Sequence, residues 1–212
     1  MLVGKRMSHP VIWITPDMPV HEALNLFKRE HIRRAPVLKG EKMIGIVSDR
    51  DLINASPSPV TSLSVWELNY LLSKITISDV MTRKVLTVKE DTPLEEAARI
   101  MADNKIGGLP VMRDDHVVGI ITETDLFKIF LELLGARERG VRVTVLISDV
   151  KGTLAKITKS VADLGGNFIS FGLFTGEDPT NRTLTFKASG IPKSEIEKIL
   201  SSFVLSIIDI RE

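Results

Sequence analysis

Residues 44–52 read IGIVSDRDL, and residues 118–126 read VGIITETDL. Each is a short apolar run around a glycine. A hydroxyl follows, then two variable positions, an aspartate and a leucine. Reading outward, residues 7–52 align with 81–126 at a constant offset of 74 without a gap, and 13 of the 46 positions are identical. The retained pairs include Met7/Met81, Asp17/Asp91, Pro19/Pro93, Ala23/Ala97, Ile32/Ile106, Pro36/Pro110, Gly45/Gly119 and Asp51/Asp125. Glycines and prolines in register mark a structural repeat, and a repeat decides architecture before any local propensity does.

Each copy predicts a β-α-β-β-α unit. In copy one, VIWI (11–14) is a strand, and Asp17 and Pro19 open a helix that buries Ala23, Leu24 and Phe27. APVL (35–38) and MIGIV (43–47) are strands joined by the turn KGEK, and Asp51 begins a further helix. Copy two repeats this with VLTV, a helix carrying Leu94, Ala97, Ala98 and Met101, then LPVM and VVGII. So small a unit cannot cover both faces of its sheet, whereas two packed copies can.

The division expected is copy one over 1–55, a loop and helix over 56–80, copy two over 81–135, a linker at 136–140 and a separate domain over 141–212. In the spacer, SPSP signals a loop. Ser64 and Glu67 form a capping box ahead of a helix with Val65, Leu68, Leu72 and Ile75 on one face. Trp66 and Tyr70 beside that face suit packing better than stacking on a cofactor. From Val141 the order is β-α-β-β-α-β, the split ferredoxin-like arrangement, with Gly165–Gly166 ending the first helix. The fold class expected is therefore mixed α/β.

The chemistry-bearing patterns are sparse. Cysteine is absent, which excludes disulfides, thiolate metal sites and cysteine nucleophiles. The four histidines lack metal-ligand spacing, and no GxSxG elbow, Walker loop or GxGxxG occurs. Twenty-eight basic against 27 acidic side chains give a formal charge of +1, with no segment basic enough to predict nucleic-acid binding. Apolar runs are too short for a membrane helix, and the N-terminus has no signal-peptide core. A cytoplasmic protein without a catalytic centre, and without metal or required cofactor, is the expectation.

Asp49 and Asp51 suggest an acid/base pair until the repeat is considered. Position 49 becomes Glu123 in copy two, while Asp51 stays as Asp125. Asp49 therefore reads as an exposed charge. Ser48/Asp51 and Thr122/Asp125 place a hydroxyl and a carboxylate three apart at a strand-to-helix junction. Helix capping and recognition of a ribose with a nearby phosphate both fit that spacing, and spacing alone leaves both open.

With "DMPVHEAL…IRRAPV…GIVSDRDL" and "DTPLEEAA…IGGLPV…GIITETDL", residues 1–134 resemble a pair of CBS domains. These are regulatory modules that bind AMP, ADP, ATP or S-adenosylmethionine in two clefts between the copies. The resemblance implies that Asp51 and Asp125 hold ribose and that Ser48 and Thr122 approach ribose or phosphate. It implies adenine contacts from Met18 (where threonine is common), Thr92, Ala23 and Ala97, and further contacts from Ile32 and Arg33, and from Ile106 and Gly107. One cleft would join residues 18–34 to Thr122 and Asp125, and the other 92–108 to Ser48 and Asp51. Arg33 and Arg34 stand where copy two has Gly107 and Gly108, so the first cleft is expected to prefer a phosphorylated ligand. A homodimer is implied too, with a regulated enzyme or transporter as a further partner.

The segment SDVKGTLAKI (148–157) is similar to the ACT-domain pattern D-x-P-G-x-L-x-x-I, with Lys151 in the proline's place. That resemblance implies an amino-acid site or a dimerisation module, with Gly152, Leu154 and Asn167 as ligand candidates. The order CBS pair then ACT domain resembles the proteins grouped with acetoin-utilisation regulators. A regulatory ligand-binding protein is the reading favoured. A ligand-free scaffold of the same fold is the alternative.

Overall fold

The computed structural model describes residues 1–55 and 74–212. Two compact units are resolved, Met1–Leu126 and Phe127–Glu212. Ser64, Trp66, Glu67 and Tyr70, with the helix expected around them, lie outside the described residues.

In the first unit, copy one has helix α1 (Val20–Arg29), strands β1 (Arg34–Lys39) and β2 (Lys42–Ser48) and helix α2 (Asp49–Asn54). A short helix α3 (Ile77–Val80) precedes copy two. Copy two has β3 (Val88–Lys89), α4 (Leu94–Asn104), β4 (Gly108–Arg113), β5 (His116–Thr122) and the first residues of α5 (Glu123–Leu133). The two hairpins match in register. Val37 faces Gly45 and Val111 faces Gly119, and each first strand has a bulge one residue later.

The first strands of the two copies are shorter than VIWI and VLTV predict. Copy one keeps a single parallel bridge, Ile14 to Val37, and copy two keeps Val88–Lys89 alongside β4. Proline explains the truncation. Ile14 donates to the Pro36 carbonyl at 3.1 Å and accepts from the Leu38 amide at 2.9 Å. One step earlier along this parallel ladder, the amide needed belongs to Pro36, which has no N–H. Pro110 imposes the same limit in copy two.

The repeat reaches further outward than residues 7 and 81, and the outer segments are exchanged. Leu2 bridges Pro93 in copy two, and Thr76 bridges Pro19 in copy one, again at an offset of 74. The Val3 amide donates to Thr92 O and the Ile77 amide to Met18 O, both at 2.9 Å. Val3 and Ile77 are each fully buried. Farther along, Ser8 bridges Ile120 and Thr82 bridges Ile46. Ile77 and Met81 thus complete the core formed by Ile14, Val20, Phe27, Val37, Val47 and Leu52. The end of the segment expected as spacer is part of copy one's interior.

These crossings explain two retained residue types. A Cβ on Gly45 would lie 2.6 Å from Met81 Sδ, and one on Gly119 would collide with Met7 Sδ. Each methionine lies flat on the glycine of the other copy's hairpin, where only hydrogen leaves room.

The second unit contains the rest of α5, then β6 (Val141–Ser148), α6 (Thr153–Asp163), β7 (Asn167–Thr175), β8 (Asn181–Ser189), α7 (Lys193–Leu200) and β9 (Ser206–Arg211). The sheet order is β7-β8-β6-β9, antiparallel throughout, which is the expected split arrangement. Val143, Val145, Leu184 and Phe186 pack with Ile157 and Val161 of α6 and Ile196 and Leu200 of α7. Gly165, at φ +79°, follows α6 in the left-handed conformation that ends helices.

Gly45→Ala should destabilise the first unit by about 1–3 kcal/mol through overpacking against Met81. Combining it with Met81→Ala should cost less than the sum of the single changes. Urea unfolding followed by tryptophan fluorescence checks this, because both tryptophans, Trp13 and Trp66, precede the second unit.

Candidate functional site

Ser48 ends β2 and Asp51 lies in the first turn of α2. The Asp51 Oδ2 atom accepts from the Ser48 amide at 2.8 Å and from Ser48 Oγ at 2.7 Å. Ser48 Oγ in turn accepts from the Asp51 amide at 3.3 Å. This is a reciprocal capping box, so one of the two readings left open by the spacing is realised. It engages only one carboxylate oxygen. Asp51 Oδ1 makes no hydrogen bond among the described residues.

Copy two builds the same box with a different outcome. Asp125 Oδ2 accepts from the Thr122 amide at 2.9 Å and from Thr122 Oγ1 at 2.7 Å. Its second oxygen, Oδ1, accepts from Ser8 Oγ at 3.4 Å. Asp125 is 7% exposed. Thr82 is the repeat counterpart of Ser8, and no Thr82 side-chain bond reaches Asp51. The two aspartates share a cap but not an environment.

Asp51 borders a cleft of about 600 Å³ between the copies. One side is the end of β2 and the first turn of α2. The other is the end of α4 and the turn Lys105–Gly108, and Thr82, Lys84 and Leu86 line it as well. Arg34 enters it from β1, where it is the ladder partner of Ser48. Its guanidinium lies against the glycine pair: a Cβ on Gly107 would lie 2.5 Å from Nη2, and one on Gly108 2.5 Å from Nη1. Arg34 Nη1 is buried and has no hydrogen-bond partner among the described residues. Burial pushes the guanidinium pKa down, Glu123 and Asp49 push it back up, and Arg33 adds to the lowering.

The profile of the CBS domain matches residues 3–58 and 77–132, more than half of the chain. The chain belongs to the CBS-domain family. Among solved structures, the CBS pair of protein MJ0100 in complex with 5′-methylthioadenosine and S-adenosyl-L-methionine is 29% identical, with a TM-score of 0.52, and the match covers 65% of this chain and 98% of that one. A Vibrio cholerae protein designated AcuB, for acetoin utilization, is 30% identical with a TM-score of 0.53, covering 65% of this chain and 95% of that one. CBSX2 in complex with AMP is 30% identical with a TM-score of 0.50, covering 61% of this chain and 96% of that one.

Within this CBS pair the cleft brings together Arg34, Ser48, Asp51, Ile106 and Gly107 from the sequence-predicted set. Met18, Ala23, Ile32, Arg33, Thr92, Ala97, Thr122 and Asp125 do not line it. Ala23 and Ala97 are fully buried in the cores of their copies. Met18 and Ile32 pack on the first core. Thr92 Oγ1 accepts from the Lys89 amide at 3.0 Å, holding the turn before α4.

Two expectations are corrected. Arg33 is exposed, and it is Arg34 that enters a cleft, the one bordered by Ser48 and Asp51. Of the arginine pair, the Arg34 guanidinium thus lies in the Asp51 cleft and not in the one expected, because its side chain fills the space beside copy two's glycines. Asp49 is not a solvated surface charge. It is partly buried, lines the cleft with Glu123, and favours the charge of Arg34. Sequence reasoning missed Glu123, Thr82 and Lys105 at this site. The signal for Glu123 was present, since its repeat partner is Asp49 and both follow the retained hydroxyl.

In the second unit, Gly152 occupies the N-cap position of α6. Leu154 packs on the core, and Asn167 opens β7 on the surface. Among the described residues no helix is long and apolar enough to cross a membrane, and no cluster of three or more His, Asp or Glu could hold a metal.

Asp125→Ala removes a buried carboxylate with three acceptor contacts and should cost about 2 kcal/mol. Asp51→Ala, at a more open cap, should cost about 1 kcal/mol. Urea titrations of the two variants, side by side, check that order.

Proposed function

We propose that this CBS pair is a non-catalytic regulatory module that binds an adenosine-containing ligand, AMP, ADP, ATP or S-adenosylmethionine, in the cleft bordered by Arg34 and Asp51. The observation that carries the reading is that Asp51, whose Oδ1 makes no hydrogen bond among the described residues, lines the same open cleft as Ile106 and Gly107. A carboxylate held rigid through one oxygen can accept ribose hydroxyls with the other. Pre-organisation of this kind lowers the entropy cost of binding. The ligands in complex with the MJ0100 pair and with CBSX2 belong to the same chemical class. The regulatory output is the ligand's differential affinity for two conformations, typically about 1–3 kcal/mol.

For residues 141–212 we infer an ACT-like role in dimerisation or small-molecule sensing, with Gly152, Leu154 and Asn167 as candidate contacts. The β-α-β-β-α-β order of the second unit supports it. A homodimer and a regulated enzyme or transporter complete the reading.

A ligand-free scaffold is favoured by a different observation: the capping boxes at Asp51 and Asp125 are complete without any ligand. Calorimetric titration separates the two. The regulatory reading expects at least one of the four ligands to bind with a dissociation constant below about 1 mM, and Asp51→Ala to weaken it by about tenfold or more. Silence from all four ligands leaves the scaffold.

A further inference from the structure

Ser8 and Thr82 are repeat partners in the two exchanged segments. Their backbones are held alike. The Ser8 amide donates to Ile120 O at 2.9 Å, and Ser8 O accepts from the Ile120 amide at 3.1 Å. Thr82 and Ile46 repeat the pair at 2.9 and 3.0 Å. The side chains diverge from there. Ser8 Oγ donates to Asp125 Oδ1 at 3.4 Å. Thr82 lines the open cleft beside Asp51, and no bond joins its side chain to that carboxylate among the described residues. Asp125 therefore has a partner on both oxygens and is 7% exposed.

What Ser8 supplies to Asp125 is a neutral hydroxyl donor, the same group that a ribose would bring. The bond is long for an O–H donor on a carboxylate, and Ser8 itself is exposed, so its hydroxyl can turn to water. Serine also lacks the second Cβ substituent that restricts threonine at χ1. A donor carried on the same chain loses no translational freedom on reaching its acceptor, so it competes with a ligand at every concentration.

We propose that Ser8 is a self-inhibitory surrogate for a ribose hydroxyl. Its hydroxyl holds the free acceptor oxygen of Asp125, so the Asp51 cleft fills first. A nucleoside engages Asp125 only after Ser8 has turned away. Ser8 thereby sets the interval between the two affinities and makes the clefts an ordered pair. This inference rests on the nucleoside reading of the CBS pair, and the test separates the two.

AMP is titrated calorimetrically into the full chain, and into Asp51→Ala with and without Ser8→Ala. In the Asp51→Ala background the remaining binding belongs to Asp125. There Ser8→Ala should tighten AMP by about threefold to tenfold, the worth of one released hydrogen bond. The dideoxy analogue of AMP, which has neither ribose hydroxyl, should show no such gain. A serine that merely stiffens its segment would not distinguish the two nucleotides. AMP binding left unchanged or weakened by Ser8→Ala, or an equal gain for the dideoxy analogue, overturns the role of Ser8 and leaves the reading of the Asp51 cleft intact. Absence of AMP binding by the unmodified chain and every variant overturns this proposal, and the nucleoside reading then stands or falls on ADP, ATP and S-adenosylmethionine. If circular dichroism shows the double variant unfolded, Ser8→Thr in the otherwise unmodified chain decides. It installs the copy-one residue and should tighten the second, weaker equivalent of AMP by the same factor; no tightening overturns the proposal.

Discussion

Everything in the first unit depends on a methionine thioether lying on a bare glycine, twice. Met81 covers Gly45 and Met7 covers Gly119, and in each case the partners come from different copies. The contact sets the separation of the hairpins from the exchanged segments. Those segments in turn close the cores: Val3 and Ile77 are fully buried only because the chain beside them is anchored on the opposite hairpin. A larger residue at either glycine would lift the segment away. The cost would then include the buried hydrophobic contacts beyond the one at the glycine.

Much of this was legible. The hairpins at 34–48 and 108–122 follow from alternating apolar residues around a fixed glycine, and the β-α-β-β-α-β order of the second unit follows from its turns. The short first strands were not legible from propensity, because VIWI and VLTV are good strand sequences. The limit lies in a neighbour, the missing amide of Pro36 or Pro110. The exchange of the outer segments was hidden for another reason. Leu2/Thr76 and Val3/Ile77 share no identity, so the repeat in the letters stops short of the repeat in the hydrogen bonds.

The site was half legible. A hydroxyl and an aspartate three apart locate both junctions, and the ungapped repeat identifies which carboxylate is retained. Which cleft an arginine enters is a tertiary question, settled by side-chain length and by the space opposite. Arg34 and Gly107–Gly108 are 73 or more positions apart, and their complementarity appears only once the hairpins face each other. Divergence has thus given one duplicated motif two chemically different surroundings: Asp125 serves as a buried cap with Ser8 on its second oxygen, and Asp51, whose second oxygen has no hydrogen bond among the described residues, lines a cleft that Arg34 also enters.

The exchanged segments also put the two halves out of step during synthesis. Copy one cannot close its core when its own last helix leaves the ribosome, because Ile77 and Met81 arrive more than twenty residues later. Copy two has the opposite situation, since its missing piece, Met1–Ser8, is made well before the rest of it. At translation rates of about 5–20 residues per second, copy one remains open for about a second or more. Copy one can therefore close only once the chain through Thr82 has been made, which is still ahead of copy two's hairpin at 108–122.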